Sequence, residues 1–256
     1  MGANFSASLI SIEKKLTTSF LTCQLPIGAE DDLRGIIDLI EEKAYYFRLG
    51  DAEENFEMGE IPVDYVDKVK EYRQYLVEKV IEYDEEIASK YLVEGQKLTP
   101  AEIRSLIRKA TLTGKNFPVF CGTAFKNVGI KLLLDGIVNY LPSPRDIPQI
   151  SVFVPSENSP VQLEKTPNLP LALAFKIVID KYNNKLVFFR VYSGKLTANS
   201  YVYNVTRQKK ERISRLLRMH ADKKEEIKEV TAGDIAAAVG LESTITGDTL
   251  GEEKKP

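Results

Sequence analysis

The chain has a single histidine and two cysteines in 256 residues, and no apolar run near the roughly 20 residues that span a bilayer. His220 alone cannot build a transition-metal site, and no Cys-x-x-Cys or His-Glu-x-x-His spacing is present. No Ser or Asp pattern around His220 points to a catalytic triad. Cys23 and Cys121 lie in apolar, strand-like surroundings, which predicts two buried thiols in a reducing compartment rather than a disulfide. A P-loop is also missing, because the nearest Gly-Lys pair, Gly114-Lys115, is followed by Asn116 and not by Ser or Thr. The N-terminus does not read as a secretory signal. Carboxylates are plentiful but fall on predicted solvent faces, so paired-carboxylate hydrolysis has no support. As a self-contained enzyme the sequence is poorly equipped.

What is present is an ordinary globular composition, 43% hydrophobic and 28% charged, enough apolar material for one large or two medium domains. The net charge of −2 is unevenly spread. Residues 1–150 hold 18 basic against 24 acidic side chains, and residues 151–256 hold 17 against 13, which predicts two surfaces with different partners. Seven of the 12 prolines fall between Pro142 and Pro170. Proline cannot donate to a ladder and stiffens extended chain, so residues 151–170 are expected to link an α/β region, 1–150, to an all-β region, 171–256.

Phe5, Leu9, Ile12 and Leu16 recur at helical spacing, predicting a helix from Phe5 to about Thr18. Phe20–Ile27, Gly35–Ile40 and Ala44–Arg48 read as strands, and the acid-rich stretch Asp51–Glu60 as a loop. Pro62 to Tyr91 reads as one helix. Its apolar stripe includes Val69, Leu76 and Val80, and its acids, Asp67, Glu71, Glu78 and Glu82 among them, fall on the opposite side. Thr99-Pro100-Ala101-Glu102 is a capping box with proline at the first helical position, starting a helix that reaches about Thr113. Phe117–Gly122 follows as a strand and Gly129–Tyr140 as an apolar helix stopped by Pro142-Ser143-Pro144. Beyond the prolines, Leu171–Ile179, Leu186–Tyr192, Tyr201–Val205, Arg212–Leu217, Glu226–Val230 and Ile235–Leu241 are strand candidates, spaced as in a small barrel or sandwich.

Three stretches carry functional weight. The loop between Cys121 and Asn127 joins a strand to a helix, where α/β domains place ligands. The exposed acids of the Pro62–Tyr91 helix are either a solvated face or a docking stripe for a basic protein. Arg207 to Lys224 carries a net charge of +6 and includes Arg207, Lys209, Arg212, Arg215 and Arg218. It is either a solvated barrel surface or a footprint on a phosphate backbone. No aromatic residue interrupts the run, which favours backbone contact over base stacking.

Taken in order, Gly2-Ala3-Asn4-Phe5, Gln24-Leu25-Pro26-Ile27-Gly28, Cys121-Gly122-Thr123-Ala124-Phe125-Lys126-Asn127 and Tyr140-Leu141-Pro142-Ser143-Pro144 resemble elongation factor G, the ribosomal translocase. So do Phe189-Arg190-Val191-Tyr192-Ser193-Gly194, Ala232-Gly233-Asp234-Ile235 and Thr246-Gly247-Asp248-Thr249-Leu250 in the second half. The resemblance implies an internal fragment with a multi-domain fold, α/β plus all-β. Its parts would be the C-terminal part of a P-loop GTPase domain, with an α+β insertion at about 24–115, and then a small antiparallel β-barrel. Residues 121–126 would be the fifth guanine motif, with Thr123, Ala124 and Phe125 in the guanine-contact loop. The barrel would rest on small-subunit ribosomal RNA, and the insertion would meet the ribosomal stalk protein. The intact protein would bind GTP or GDP with magnesium, in the bacterial cytoplasm or a plastid or mitochondrial matrix. Neither membrane nor DNA is an expected partner.

Two departures stand out: Asn184 precedes Lys185-Leu186 where the family commonly has Gly, and Thr123 stands where Ser is more frequent. Without a P-loop and switches the chain by itself is expected to bind no nucleotide and to hydrolyse no GTP. Two alternatives remain at this point: an independent, non-catalytic RNA- or ribosome-binding protein sharing these modules, and a related factor such as release factor three. The ordered matches in the second half weigh against the latter.

Overall fold

The computed structural model describes residues 2–16, 19–48, 55–146, 151–154, 159–162, 169–180, 183–221 and 223–253. The chain divides into two compact units, Met1–Asp146 and Ile147–Pro256.

In the first unit, α1 (Phe5–Leu16) begins where the Asn4 side chain accepts the Ala7 N–H at 3.0 Å, and it buries Leu9. The last two residues of the predicted helix, 17–18, lie outside the described ones. β1 (Ser19–Thr22) leads into an antiparallel sheet of β2 (Gln24–Ile27), β3 (Gly35–Asp38), β4 (Lys43–Phe47) and β5 (Phe56–Gly59), in that order. β5 corrects the loop expected over Asp51–Glu60, of which residues 51–54 lie outside the described ones. Its acids mask an alternation in which Phe56 packs edge-on against Tyr45 and Phe47, with centroids 5.2 and 5.7 Å away.

The helix expected over Pro62–Tyr91 is two helices, α2 (Val66–Ile81) and α3 (Glu85–Leu92). The break has a local cause. Asp84 leaves the helical conformation, and its carboxylate accepts the Ile87 N–H at 3.1 Å, capping a new helix. α4 (Pro100–Leu112) starts on the anticipated capping box, with Thr99 and Glu102 each binding the other's backbone N–H. β6 (Asn116–Val119) then pairs in parallel with β1, and α5 (Ile130–Tyr140) closes the unit. Residues 24–112 therefore form an excursion between two adjacent parallel strands. Val69, Leu76 and Val80 of α2 and Ile103, Leu106 and Ile107 of α4 share one core with Leu25 and Ile37 of the sheet and Leu39 just past β3. α5 buries only Gly136 and Tyr140 and leaves Leu134, Ile137 and Val138 exposed.

The second unit opens with a hairpin of β7 (Ser151–Val154) and β8 (Ser159–Gln162), in part of the stretch whose prolines predict a linker. Residues 155–158 and 163–168 of that stretch lie outside the described ones. The remaining strands are β9 (Leu171–Ile179), β10 (Lys185–Ser193), β11 (Lys195–Thr197), β12 (Ser200–Asn204), β13 (Lys209–Ile213), β14 (Arg215–His220), β15 (Lys223–Ile227), β16 (Glu229–Thr231), β17 (Ile235–Val239) and β18 (Thr249–Gly251). Eight of them form one antiparallel sheet in the order β13-β12-β18-β9-β10-β17-β14-β15, and β11 pairs with β16.

Two predicted strands are each divided. Arg212–Leu217 splits at Ser214, whose N–H and hydroxyl both donate to the Val239 carbonyl, at 2.8 and 2.7 Å. Glu226–Val230 splits at Lys228, whose carbonyl accepts the Ala198 N–H at 2.9 Å. The first division shapes the unit. β13 lies at one edge of the sheet and β14 next to the opposite edge, yet only Ser214 separates them in the chain. The sheet must curl to allow this, which makes the unit an antiparallel half-barrel closed over Val187, Phe189, Val191, Val202, Ile213 and Leu216.

Candidate functional site

The loop after β6 closes on itself through its own backbone. Thr123 and Val128 exchange both backbone hydrogen bonds, at 2.9 and 3.0 Å, and the Asn127 N–H donates to the Ala124 carbonyl at 3.2 Å. Asn127 adopts φ 54°, so the four residues between Thr123 and Val128 form a tight turn with Phe125 at its fully exposed tip. Two glycines make the closure possible. A Cβ on Gly122 would stand 2.5 Å from the Val128 carbonyl oxygen, and Gly129, at φ 79°, precedes the first residue of α5. The turn commits the Thr123 N–H to Val128, whereas the Ala124 and Phe125 N–H groups have no acceptor among the described residues. Lys126 reaches back to Asp31 at 2.9 Å. The result is a tight turn with unspent backbone donors, capable of holding a carbonyl-type acceptor.

Cys121, at the base of this loop, is half-buried, and desolvation pushes its thiol up to about 12; Cys23 is fully buried and raised further by the same cause. Both are free thiols held protonated, unsuited to nucleophilic work.

Asp67, Glu71, Glu78 and Glu82 are all exposed on α2 and at its C-terminal cap, so the structure does gather them on one stripe. The helix is anchored from its other side by Val69, Leu76 and Val80, and by Arg73. The Arg73 guanidinium binds the Leu39 and Ile40 carbonyls and pairs with Glu42 at 3.2 Å. The stripe is therefore not what holds α2 in place. Asp84, Glu85 and Glu86, which an unbroken helix would add to it, belong to α3 and its cap.

The basic run is not brought together as one patch. Arg207 donates through Nε to the buried carboxylate of Asp248 at 2.8 Å, and Lys209 reaches the Ser243 hydroxyl at 2.7 Å. These two border a buried polar network of Asn204, Glu211, Thr244 and Asp248. Burial works to raise Asp248, but hydrogen bonds from Asn204, the Ile245 N–H and Arg207 outweigh it and hold the carboxyl below its usual range. Arg212 is exposed on β13, beside Lys210, whose ammonium lies 5.0 Å from the exposed Tyr201 ring. Arg215 and Arg218 are exposed on β14, but strand alternation puts them on opposite faces. Arg218 shares its face with Leu216 of the half-barrel core, and Arg215 shares the other with Leu217, which packs in a separate cluster with Leu186 and Ala237.

The buried network escapes a sequence reading, because its members lie 33 to 44 residues apart in their contacts and each is an ordinary polar residue. Arg190 of β10 escapes it too. Its Nε is buried with no partner among the described residues, and its guanidinium lies 5.5 Å from the Tyr192 ring.

Residues 184–251 match the family model described as elongation factor Tu domain 2. Over its full length the chain is similar to the crystal structure of a protein from Thermus thermophilus, with a TM-score of 0.77 and 24% identity. That alignment covers 100% of this chain and 35% of the other, so the chain spans about a third of that protein's length. The structural likeness is one of fold. No helix among the described residues is long and apolar enough to cross a membrane. Over residues 184–251 the half-barrel is thus similar to elongation factor Tu domain 2.

Proposed function

We propose that the chain serves an elongation factor G-type translational GTPase, contributing the guanine-contact loop, a stalk-binding insertion and a half-barrel that rests on small-subunit ribosomal RNA. The observation that carries this is the order of its modules. A parallel strand, a tight turn with free Ala124 and Phe125 amides and then α5 come first, and the segment matching elongation factor Tu domain 2 follows. The two amides fit the exocyclic oxygen of guanine, which accepts hydrogen bonds. The sequence offers phosphate no P-loop, since Gly114-Lys115 is followed by Asn116. In the intact protein, GTP and Mg²⁺ would supply the hydrolysis that drives tRNA and mRNA movement. The part taken by these residues is to recognise the base and to hold the ribosome. Taken by itself, this chain does not hydrolyse GTP on this reading.

The RNA surface is tested through Arg215 and Arg218, because Arg207 and Lys209 are tied into the fold. Charge reversal of both to Glu should weaken binding to small-subunit ribosomal RNA by about tenfold or more. It should also lower the slope of log affinity against log salt by about one for each phosphate no longer neutralised. Since the two side chains occupy opposite faces, the single reversals identify which face meets RNA. Unchanged affinity in the double variant would mean a solvated surface.

The acidic stripe makes a separate prediction. Glu71→Lys with Glu78→Lys should lower affinity for the stalk protein about tenfold at low ionic strength, measured by titration calorimetry. The thermal midpoint should stay nearly constant, since exposed substitutions move stability by about 0.5 kcal/mol or less. Loss of stability in place of affinity would make the stripe structural.

A further inference from the structure

The outer face of the half-barrel carries a cation that the fold leaves unanswered. Val187, Phe189 and Val191 of β10 belong to the core, so strand alternation puts Phe188, Arg190 and Tyr192 on the outer side. Arg190 pairs with Leu173 of β9 and Ile235 of β17, and Leu173 pairs in turn with Thr249 of β18. That row of the sheet holds no acid. The Arg190 Nε is buried and makes no hydrogen bond, the one buried side-chain nitrogen or oxygen so left among the described residues. Buried polar groups are as a rule hydrogen-bonded, and an unpaired charged donor is costly. The Tyr192 ring, 5.5 Å from the guanidinium, attracts its charge but its face offers the Nε–H no lone pair.

A guanidinium presents Nε and a terminal nitrogen as a planar fork, which a carboxylate or a phosphate fills with two parallel hydrogen bonds. The surroundings decide between these acceptors. In the adjoining row, Lys176, Phe188, Ala237 and Leu217 face outward together and bring only one further cation. Phe188 packs with Leu186, Leu217 and Ala237 in the outer apolar cluster, and its ring lies 6.5 Å from that of Phe175. Ile235 is 53% and Phe175 41% exposed, so apolar surface stands open on both sides of the arginine's strand. Surfaces that bind nucleic acid are polar and rich in cations. A lone arginine among aromatic and aliphatic side chains is instead the composition of a protein interface core.

We propose that this face docks an acidic protein segment in which one Glu or Asp lies between apolar residues. The carboxylate takes the fork of Arg190, and the flanking apolar side chains cover Ile235 and Phe175. The surface depends neither on the guanine loop nor on the ribosomal RNA reading.

An NMR titration of the whole chain tests this, following the Arg190 Nε–H and the backbone amides of β10 and β17. The probe is the peptide acetyl-Leu-Glu-Leu-amide, with its Gln counterpart as neutral control and a short RNA duplex as the competing class. Saturable shifts are expected with the Glu peptide at millimolar concentration, and little change with the Gln peptide. Arg190→Lys keeps the charge but loses the fork, and should weaken the Glu peptide several-fold, read on the backbone amides. Ile235→Ser removes apolar contact at an exposed position and should also weaken it several-fold. Should Arg190→Lys fail to fold, as read by its thermal midpoint, Ile235→Ser decides. Equal shifts with the Glu and Gln peptides would overturn the proposal, as would no saturable shift with the Glu peptide or an affinity unchanged in a folded variant. Shifts caused by the RNA duplex and not by the peptide would overturn it too, and would assign the face to phosphate.

Discussion

Replacing Asp248 by alanine is expected to destabilise the second unit by about 3 kcal/mol. Asp248 is 2% exposed, and its Oδ2 accepts three hydrogen bonds, from Asn204 Nδ2 at 2.9 Å, the Ile245 N–H at 2.9 Å and Arg207 Nε at 2.8 Å. Alanine would leave the buried Asn204 amide and the Ile245 N–H without their shared acceptor, and each orphaned group costs about 1–3 kcal/mol. The damage would spread, because Asn204 also donates to Thr244 at 3.0 Å, and the Thr244 hydroxyl donates to the buried Glu211. Arg207→Ala provides the contrast. Its side chain is 39% exposed, so its loss should cost about 1 kcal/mol or less. Calorimetric unfolding checks both, read on the transition of the second unit because two compact units need not unfold together. Equal costs for the two variants would show that the surface ion pair, and not the buried network, is what matters.

Gly129→Ala should cost about 3 kcal/mol or displace the loop from Cys121 to Asn127. Gly129 sits at φ 79°, a conformation that costs an L residue about 1–2 kcal/mol. A Cβ would also lie 2.6 Å from Ile36 Cδ1 and 2.8 Å from the Cys121 carbonyl oxygen. The side chain can turn away, but the carbonyl belongs to the base of the loop and can yield only by moving it. Gly114→Ala isolates the backbone contribution, since Gly114 has φ 71° and nothing within 4 Å of the added atom. Its cost should be about 1 kcal/mol. Denaturant unfolding of the two variants measures the steric share as their difference. A vanishing difference would mean that the loop accommodates the methyl group.

Features encoded within a few residues were legible beforehand. The start of α4 depends on Thr99 and Glu102 alone, and both of their backbone hydrogen bonds form. The acidic stripe depends on helical period, and Asp67, Glu71, Glu78 and Glu82 share one exposed side as their spacing requires. The division at Asp84 was equally local, but its cap was hidden in a run of acids that also reads as a continuous helical face.

Strand limits were another matter. β18 is three residues long and exists because Thr249 and Leu250 find Leu173 and Ala172, while Leu250 and Gly251 find Asn204 and Tyr203. Nothing in Thr249–Gly251 itself announces a strand. The break at Ser214 depends on the Val239 carbonyl, which is remote in sequence, and that break carries the chain from one edge of the sheet round to the other.

The sequence by itself determined the helices with local start and stop signals and the tight loop from Cys121 to Asn127, and one histidine with two cysteines leaves too few such ligands for a metal centre built of His and Cys. Those properties follow from composition, period and turn chemistry, which act over one to three turns of chain. Tertiary structure alone decided that Arg207 and Lys209 serve a buried polar network, and that Gln24, Asp38 and Tyr140 surround one cavity. Each of these depends on which residues remote in sequence are brought within hydrogen-bonding or packing distance. That is set by the closure of the sheets and the packing of α4 and α5, and no local pattern records it.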